Sequence, residues 1–355
     1  MAIDRLALTN FRNHADALIA PDASMIVLTG ENGAGKTNIL EAISLLAPGR
    51  GLRGAALRDM ARQGGPGGFA VSARLGDSQI GTGTDASAPD KRQVRIDGRT
   101  APVNNLSVRL ALSWLTPAMD RLFLESPGGR RRFLDRLVLA YDPGHAHHST
   151  RYEAAMRARN ALLANEEPAD PAWLAALEAL MAEHGAAIDS SRRALIFALE
   201  QEIDVNAQHL FARPTLVLSG AAEGELGLAD QLRASRQRDR AAGRTLAGPH
   251  RSDLLVRHLS KDQDAALCST GEQKALLLSI MLAHAQLIGS HSGRQLIILL
   301  DEVAAHLDPA RRRALFERLL ATGGQVWMTG TEASLFEGLE RANYFNVAAG
   351  QIIRR

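Results

Sequence analysis

The chain has 355 residues and a mass of 38.2 kDa, room for one elaborated α/β domain or two packed units. Apolar residues make up 46% and charged residues 23%, which excludes a disordered chain. The balance of 41 Lys plus Arg against 39 Asp plus Glu excludes a uniformly basic, histone-like surface and leaves room for a local basic stripe.

Only four of the 41 basic residues are lysines (Lys36, Lys91, Lys261, Lys274). Codon usage explains most of that bias; bidentate phosphate contact is the sharper reading. Aromatic residues are 4%, few for a protein that stacks single-stranded bases. One cysteine, Cys268, excludes an internal disulfide and a zinc site of several thiolates, and it reads as a small packed residue. Met1 to Arg5 carries an early acid with no apolar core behind it, so no signal peptide is expected. The densest apolar run, Ala275 to Ile288, is broken by Ser279, His284 and Gln286 and is too short to span a bilayer. The expectation is a soluble, cytoplasmic protein.

In chain order, Ile3, Leu6 and Leu8 lead as a strand into Phe11-Arg12-Asn13, and Met25 to Leu28 has the pattern of a buried strand. Gly64 to Gly68 is a turn, Phe69 to Leu75 alternates as a strand, and Val94 to Gly98 ends in a hairpin signal. Helical spacing then takes over across Arg151 to Leu163, Pro171 to Ala187 and Ser190 to Leu210, with His145, His147 and His148 read as a solvated loop. Strands return at Thr215 to Leu218, Gln295 to Leu300 and Gln325 to Thr329. This predicts a helical domain, residues 118–210, inserted between two parts of one α/β head, residues 1–117 and 211–355.

Gly30-Glu31-Asn32-Gly33-Ala34-Gly35-Lys36-Thr37 fills every position of G-x-x-x-x-G-K-[ST], between a predicted strand and a helix-like Asn38 to Ile43. The glycines let backbone N–H groups close around phosphate at a helix N-terminus; Lys36 reaches the outer phosphates and Thr37 ligates Mg²⁺. The strand before Asp301-Glu302 ends in two acids, Asp301 placed to support the metal and Glu302 to polarise an attacking water. ATP with Mg²⁺ is therefore the expected cofactor pair.

Ser269-Thr270-Gly271-Glu272-Gln273-Lys274 before a helix resembles the signature motif of ABC-type ATPases, and Ala305-His306-Leu307-Asp308 resembles their D-loop. The resemblance implies that Ser269, Gly271 and Asp308 act in trans, completing the ATP site of a second subunit. Thr331 stands roughly where that family often has a switch histidine. Leu8 to Asn13 looks like the opening of SMC-type and RecF heads. Pro127 to Asp135, Arg159 to Leu163 and Gly248 to Asp253 are similar to blocks of the RecF family. This resemblance implies an ABC-type P-loop head with an N-terminal antiparallel β subdomain, and Arg12 and Asn38 among the nucleotide-binding residues. It also implies a weak ATPase used as a switch, an ATP-dependent homodimer on duplex or gapped DNA, and work with RecO and RecR in loading RecA. Arg130, Arg131, Arg132 and Arg136 are the candidate DNA contacts; the arginines between Arg233 and Arg244 read more as a solvated helix face. The alternative is the ATPase subunit of an ABC transporter. A small-molecule kinase needs no signature motif, and P-loop and signature lie too close in sequence for a long coiled-coil arm.

Overall fold

A computed structural model describes residues 2–165, 167, 169–205, 211–220, 227–292 and 294–355. The chain falls into two compact units, one from the segment up to Asp120 with Met281–Arg355, the other drawn from Arg121 to Ile280.

The first unit holds two six-stranded sheets. β1 (Arg5–Phe11), β2 (His14–Ile19), β4 (Phe69–Leu75), β5 (Ser78–Asp85), β6 (Ala88–Ile96) and β7 (Arg99–Thr100) form an antiparallel sheet in the order β2-β1-β4-β5-β6-β7. Alternation is clearest in β1 and β4: Leu6 and Leu8 of β1 are buried, and Leu8 pairs with the buried Val71 of β4. Asp97 and Gly98, both with positive φ, make the tight turn that joins β6 to β7.

The second sheet has the order β15-β14-β3-β13-β12-β8, from β3 (Met25–Thr29), β8 (Ala111–Leu115), β12 (Leu296–Leu300), β13 (Gln325–Gly330), β14 (Ala342–Ala348) and β15 (Gln351–Arg354). All neighbours are parallel except β14 and β15. β3, β8, β12 and β13 are buried along their whole length, which explains runs such as Leu296 to Leu300 that do not alternate. One core joins both sheets around α1 (Lys36–Ser44): Leu6, Phe11 and Val71 pack with Ile39, Ile43, Trp114 and Trp327. α2 (Leu106–Arg109) and α8 (Pro309–Ala321) complete this unit.

The second unit contains α3 (Pro127–Tyr141), α4 (His145–Ala164), α5 (Pro171–Val205), α6 (Leu228–Ala242) and a small antiparallel sheet, β11-β10-β9, from β9 (Pro214–Ser219), β10 (Asp253–His258) and β11 (Gln263–Asp264). α7 (Thr270–Ser292) begins here and ends in the first unit.

Three expectations change. Pro171 to Val205 is a single 35-residue helix, where the spacing suggests two; the part expected at 206–210 lies outside the described residues. His145, His147 and His148 form the first turn of α4 and not a loop, because Asp142-Pro143-Gly144 turns the chain and Gly144 takes the N-cap position. The compact units also divide differently from the sequence parsing. Residues 212–280 group with the helices, since β9 and α6 pack on α5 and β10 packs on α3.

Candidate nucleotide site

The P-loop leaves the C-terminal end of β3, and the Asp301-Glu302 pair leaves the end of β12; β13 lies between them. Three parallel strands therefore deliver their ends to one edge of the sheet, where such folds gather ligand groups. Glu31, Asn32 and Gly33 form the exposed crest of the loop, and Gly35, with φ +111°, is the N-cap of α1. No side chain caps that helix end, so its first N–H groups face outward, ready for an anion. Two glycines are needed for space as well as dihedral angle. A Cβ on Gly30 would stand 2.2 Å from the Val347 carbonyl oxygen, and one on Gly35 would meet the Asn13 amide at 2.5 Å.

Lys36 is buried and folds back over the loop, its Nζ donating to the carbonyls of Gly30 (2.7 Å) and Glu31 (2.9 Å). Burial pushes its ammonium pKa down, opposed by the charges of Glu302 and Asp301. Thr37 Oγ1 donates to Asp301 Oδ1 at 2.8 Å, and Thr329 Oγ1 donates to the same oxygen at 2.8 Å. The Glu302 N–H in turn donates to Thr329 Oγ1 at 2.9 Å, in a residue held in the left-handed region at φ +54°. A hydroxyl and a carboxylate oxygen thus converge in the way a hard cation such as Mg²⁺ requires, and the glycine cradle suits phosphate.

The sequence does not single out four supports of this edge and of the helix that leads from it. Thr329 is one; its only signal is a hydroxyl near the end of the strand after the acidic pair. Asn13 Nδ2 donates to the Ala34 carbonyl at 2.8 Å and its Oδ1 accepts from Asn38 at 2.7 Å. Buried His14 lies between the carbonyls of Gly350 (Nδ1, 2.9 Å) and Gly35 (Nε2, 3.3 Å). At the far end of α1, Arg92 donates to the carbonyls of Leu45, Ala47 and Gly49, and burial lowers its pKa to about 10.

Other expected residues are engaged within the chain. Arg12 gives Nε and Nη2 to the fully buried Glu41 of α1 (2.8 and 2.6 Å) and Nη1 to the Asp59 carbonyl (2.7 Å). Arg130 makes a bidentate pair with Asp253 (2.8 and 2.6 Å) and donates Nη1 to the carbonyls of Phe123 and Glu125. Arg131 donates to the Ser252 carbonyl at 2.8 Å, and Arg136 lies over the Phe133 ring at 5.4 Å, its pKa lowered to about 9 by burial. Arg132 is exposed.

Ser269 and Gly271 lie in the second unit, at the exposed start of α7. Ser269 and Glu272 form a reciprocal capping box: Glu272 Oε2 accepts from Ser269 N–H and Oγ (both 2.9 Å), and the Glu272 N–H returns to Ser269 Oγ at 3.4 Å. Lys261 joins this carboxylate, and with the Ser269 bonds it holds the Glu272 pKa down to about 2. A Cβ on Gly271 would meet nothing within 4 Å, so packing inside this chain does not demand glycine there. Cys268 is buried, with its thiol pKa raised chiefly by that burial, as a packed residue requires. Asp308, in the first unit and exposed, caps α8 by accepting from the Arg311 N–H at 2.9 Å. Thr331 is exposed just beyond β13.

A family model described as the RecF/RecN/SMC N terminal domain matches residues 2–351. The DNA replication and repair protein RecF of Rhizobium rhizogenes is 48% identical, over 99% of this chain and 98% of its own length. The chain belongs to the RecF family. RecF of Brucella suis is also 48% identical, over 99% of this chain and 96% of its own. In fold, the chain is similar to a solved structure of the recombination mediator protein RecF-ATPrS in the RecFOR pathway. That likeness has a TM-score of 0.85 at 22% identity, covering 99% of this chain and 98% of the other. A Pyrococcus furiosus Smc head with an extended coiled coil is similar at a TM-score of 0.57 and 15% identity, over 99% and 96%. The fold is thus that of the ABC-type ATPase head, shared by RecF and SMC proteins.

Proposed function

We propose that this RecF-family chain is a cytoplasmic DNA replication and repair protein that binds ATP with Mg²⁺, dimerises around it, and hydrolyses it slowly as a switch on duplex or gapped DNA. The observation that carries the reading is the linked set Thr37, Asp301, Thr329 and Glu302 beside an open glycine cradle.

In this reading the loop and α1 N–H groups hold the phosphates, and Lys36 moves from its two carbonyl partners to the outer phosphate oxygens. Thr37 and Asp301 would hold Mg²⁺, which when bound screens the phosphate charge. Glu302 accepts a proton from the water that attacks the γ-phosphorus as the bond to the ADP oxygen breaks. Ser269 and Gly271 of a second copy close over the γ-phosphate, which fits an exposed glycine that its own chain leaves uncrowded. Loss of that phosphate removes the contact and lets the pair open, a shift set by differential contacts in two states. Relatives named RecF and a neighbour placed in the RecFOR pathway support RecO and RecR as partners, and RecA loading is the outcome proposed for that pathway. Arg132 is the arginine of its segment most open to DNA phosphate. Membership of the RecF family stands against the transporter alternative, and no described helix is long and apolar enough to cross a membrane.

The test is binding of the purified chain to duplex, single-stranded and gapped DNA, titrated with ATP and with salt. Binding to duplex or gapped DNA that needs ATP and weakens with salt is expected; ATP-independent binding, or none, would overturn the reading.

A further inference from the structure

The turn before α4 places two adjacent histidines opposite a third on α5. His148 Nδ1 lies 3.2 Å from His184 Nδ1, and the His147 ring centre lies 5.4 Å from that of His148 and 5.8 Å from that of His184. The His148 and His184 ring centres are 5.3 Å apart. His145, which the sequence groups with the pair, is instead engaged by its Nε2 with Asp135 at 3.1 Å.

Two imidazole nitrogens bound to one tetrahedral first-row metal at about 2.0–2.1 Å stand about 3.3 Å apart, close to the observed nitrogen pair. The three ring centres form a nearly equilateral triangle. Its middle lies roughly 3 Å from each centre, the distance at which a nitrogen-bound metal sits from an imidazole centre. No three ligand groups among the described residues converge on one point already, so His147 has to turn its exposed ring inward to complete the set. His184 is buried, His148 half-buried and His147 exposed, which leaves the trio reachable by a metal from solvent. Asp142 lies near enough to His148 to act on it as a negative charge, which favours a bound cation. The Asp142 carboxylate is itself fixed by Ser191 Oγ at 2.7 Å and the Gly144 N–H at 2.9 Å.

We propose that His147, His148 and His184 form a transition-metal site, for Zn²⁺ or a similar borderline cation, that clips α4 to α5. An all-nitrogen donor set selects such ions over Mg²⁺. The site is independent of the nucleotide reading, and the whole chain without nucleotide serves to test it.

Titration with Co²⁺ alone is expected to give one equivalent bound with the strong visible absorption of a tetrahedral complex, displaced by Zn²⁺ and unchanged by Mg²⁺. His148→Ala is expected to abolish that absorption, and His147→Ala to weaken binding at least about tenfold, with helical content unchanged in both. Zn²⁺ is expected to raise the thermal midpoint of the unmodified chain and not that of His148→Ala. His184→Ala should match His148→Ala, and if it fails to fold the two more exposed variants decide. Absence of saturable Co²⁺ binding, or equal binding by the unmodified chain and folded His148→Ala, would overturn the proposal.

Discussion

The P-loop edge and the start of α7 carry the two motifs of the proposed ATP switch, yet they are built in opposite ways. At the P-loop edge the groups on neighbouring strands are tied together: Thr37 and Thr329 share one Asp301 oxygen, the Glu302 N–H hangs from Thr329, and Lys36 is held by two carbonyls. At α7, Ser269 and Glu272 cap each other, Lys261 joins the carboxylate, and Gly271 beside them is exposed with open space at its Cβ. The first arrangement is organised before its ligand arrives. The second presents a capped helix end outward, which suits completion by another molecule.

The largest effect that separates the two regions is expected from Lys36→Ala. It removes the cation held over the glycine cradle, and ATP binding measured by calorimetry should weaken at least about a hundredfold, taking ATP-dependent dimerisation with it. Glu302→Gln should split binding from chemistry. The affinity for ATP stays within about threefold, while phosphate release falls roughly a hundredfold or more and the ATP-bound dimer persists on DNA. A parallel loss of affinity would show that Glu302 holds nucleotide and does not act on water.

Thr329→Val is a finer probe of the P-loop edge. It strands the Glu302 N–H and removes a donor from Asp301, so hydrolysis should drop about tenfold and stability by about 1–3 kcal/mol, read by urea unfolding. Unchanged turnover would mean that Thr329 does not position the acids.

The smallest effect belongs to the α7 cap. Glu272 is held below its unfolded pKa of 4.5, so its contribution is fully present above that value and is lost as pH falls toward about 2. The difference in unfolding stability between the unmodified chain and Glu272→Gln should therefore be constant near neutrality and shrink between pH 4.5 and 2. A difference that grew with acid would contradict the capping geometry.

What could be read in advance follows the same contrast. The P-loop is contiguous and bounded by a strand and a helix, so its residues and their order around β3 and α1 are legible in eight letters. The Leu296–Leu300 run before Asp301 is legible because a strand buried on both faces does not alternate. Thr329 is not legible, since it reaches Asp301 only through the register of β13 against β12. Nor is the use of the arginines. Arg12 pairs with Glu41 and Arg130 with Asp253, partners that their own segments do not reveal.

Arg159 is the extreme case. Nothing in its sequence context marks it as fully buried, yet it binds Glu178, Asp239, Thr245 and the Leu232 carbonyl and ties α4 to α5 and α6. The partners of a charged side chain are set by non-local packing, which one segment of sequence does not carry. His184 completes its trio for the same reason: it lies 36 positions from His148 in sequence and 3.2 Å away in the fold.

The most direct measurement of the central claim, a site shared between two copies, is sedimentation of Ser269→Ala with ATP beside the unmodified chain. The substitution removes a helix cap worth about 1 kcal/mol and leaves the P-loop edge untouched. The expected result is a folded monomer that binds ATP with nearly unchanged affinity and does not dimerise. Dimerisation equal to that of the unmodified chain would contradict it.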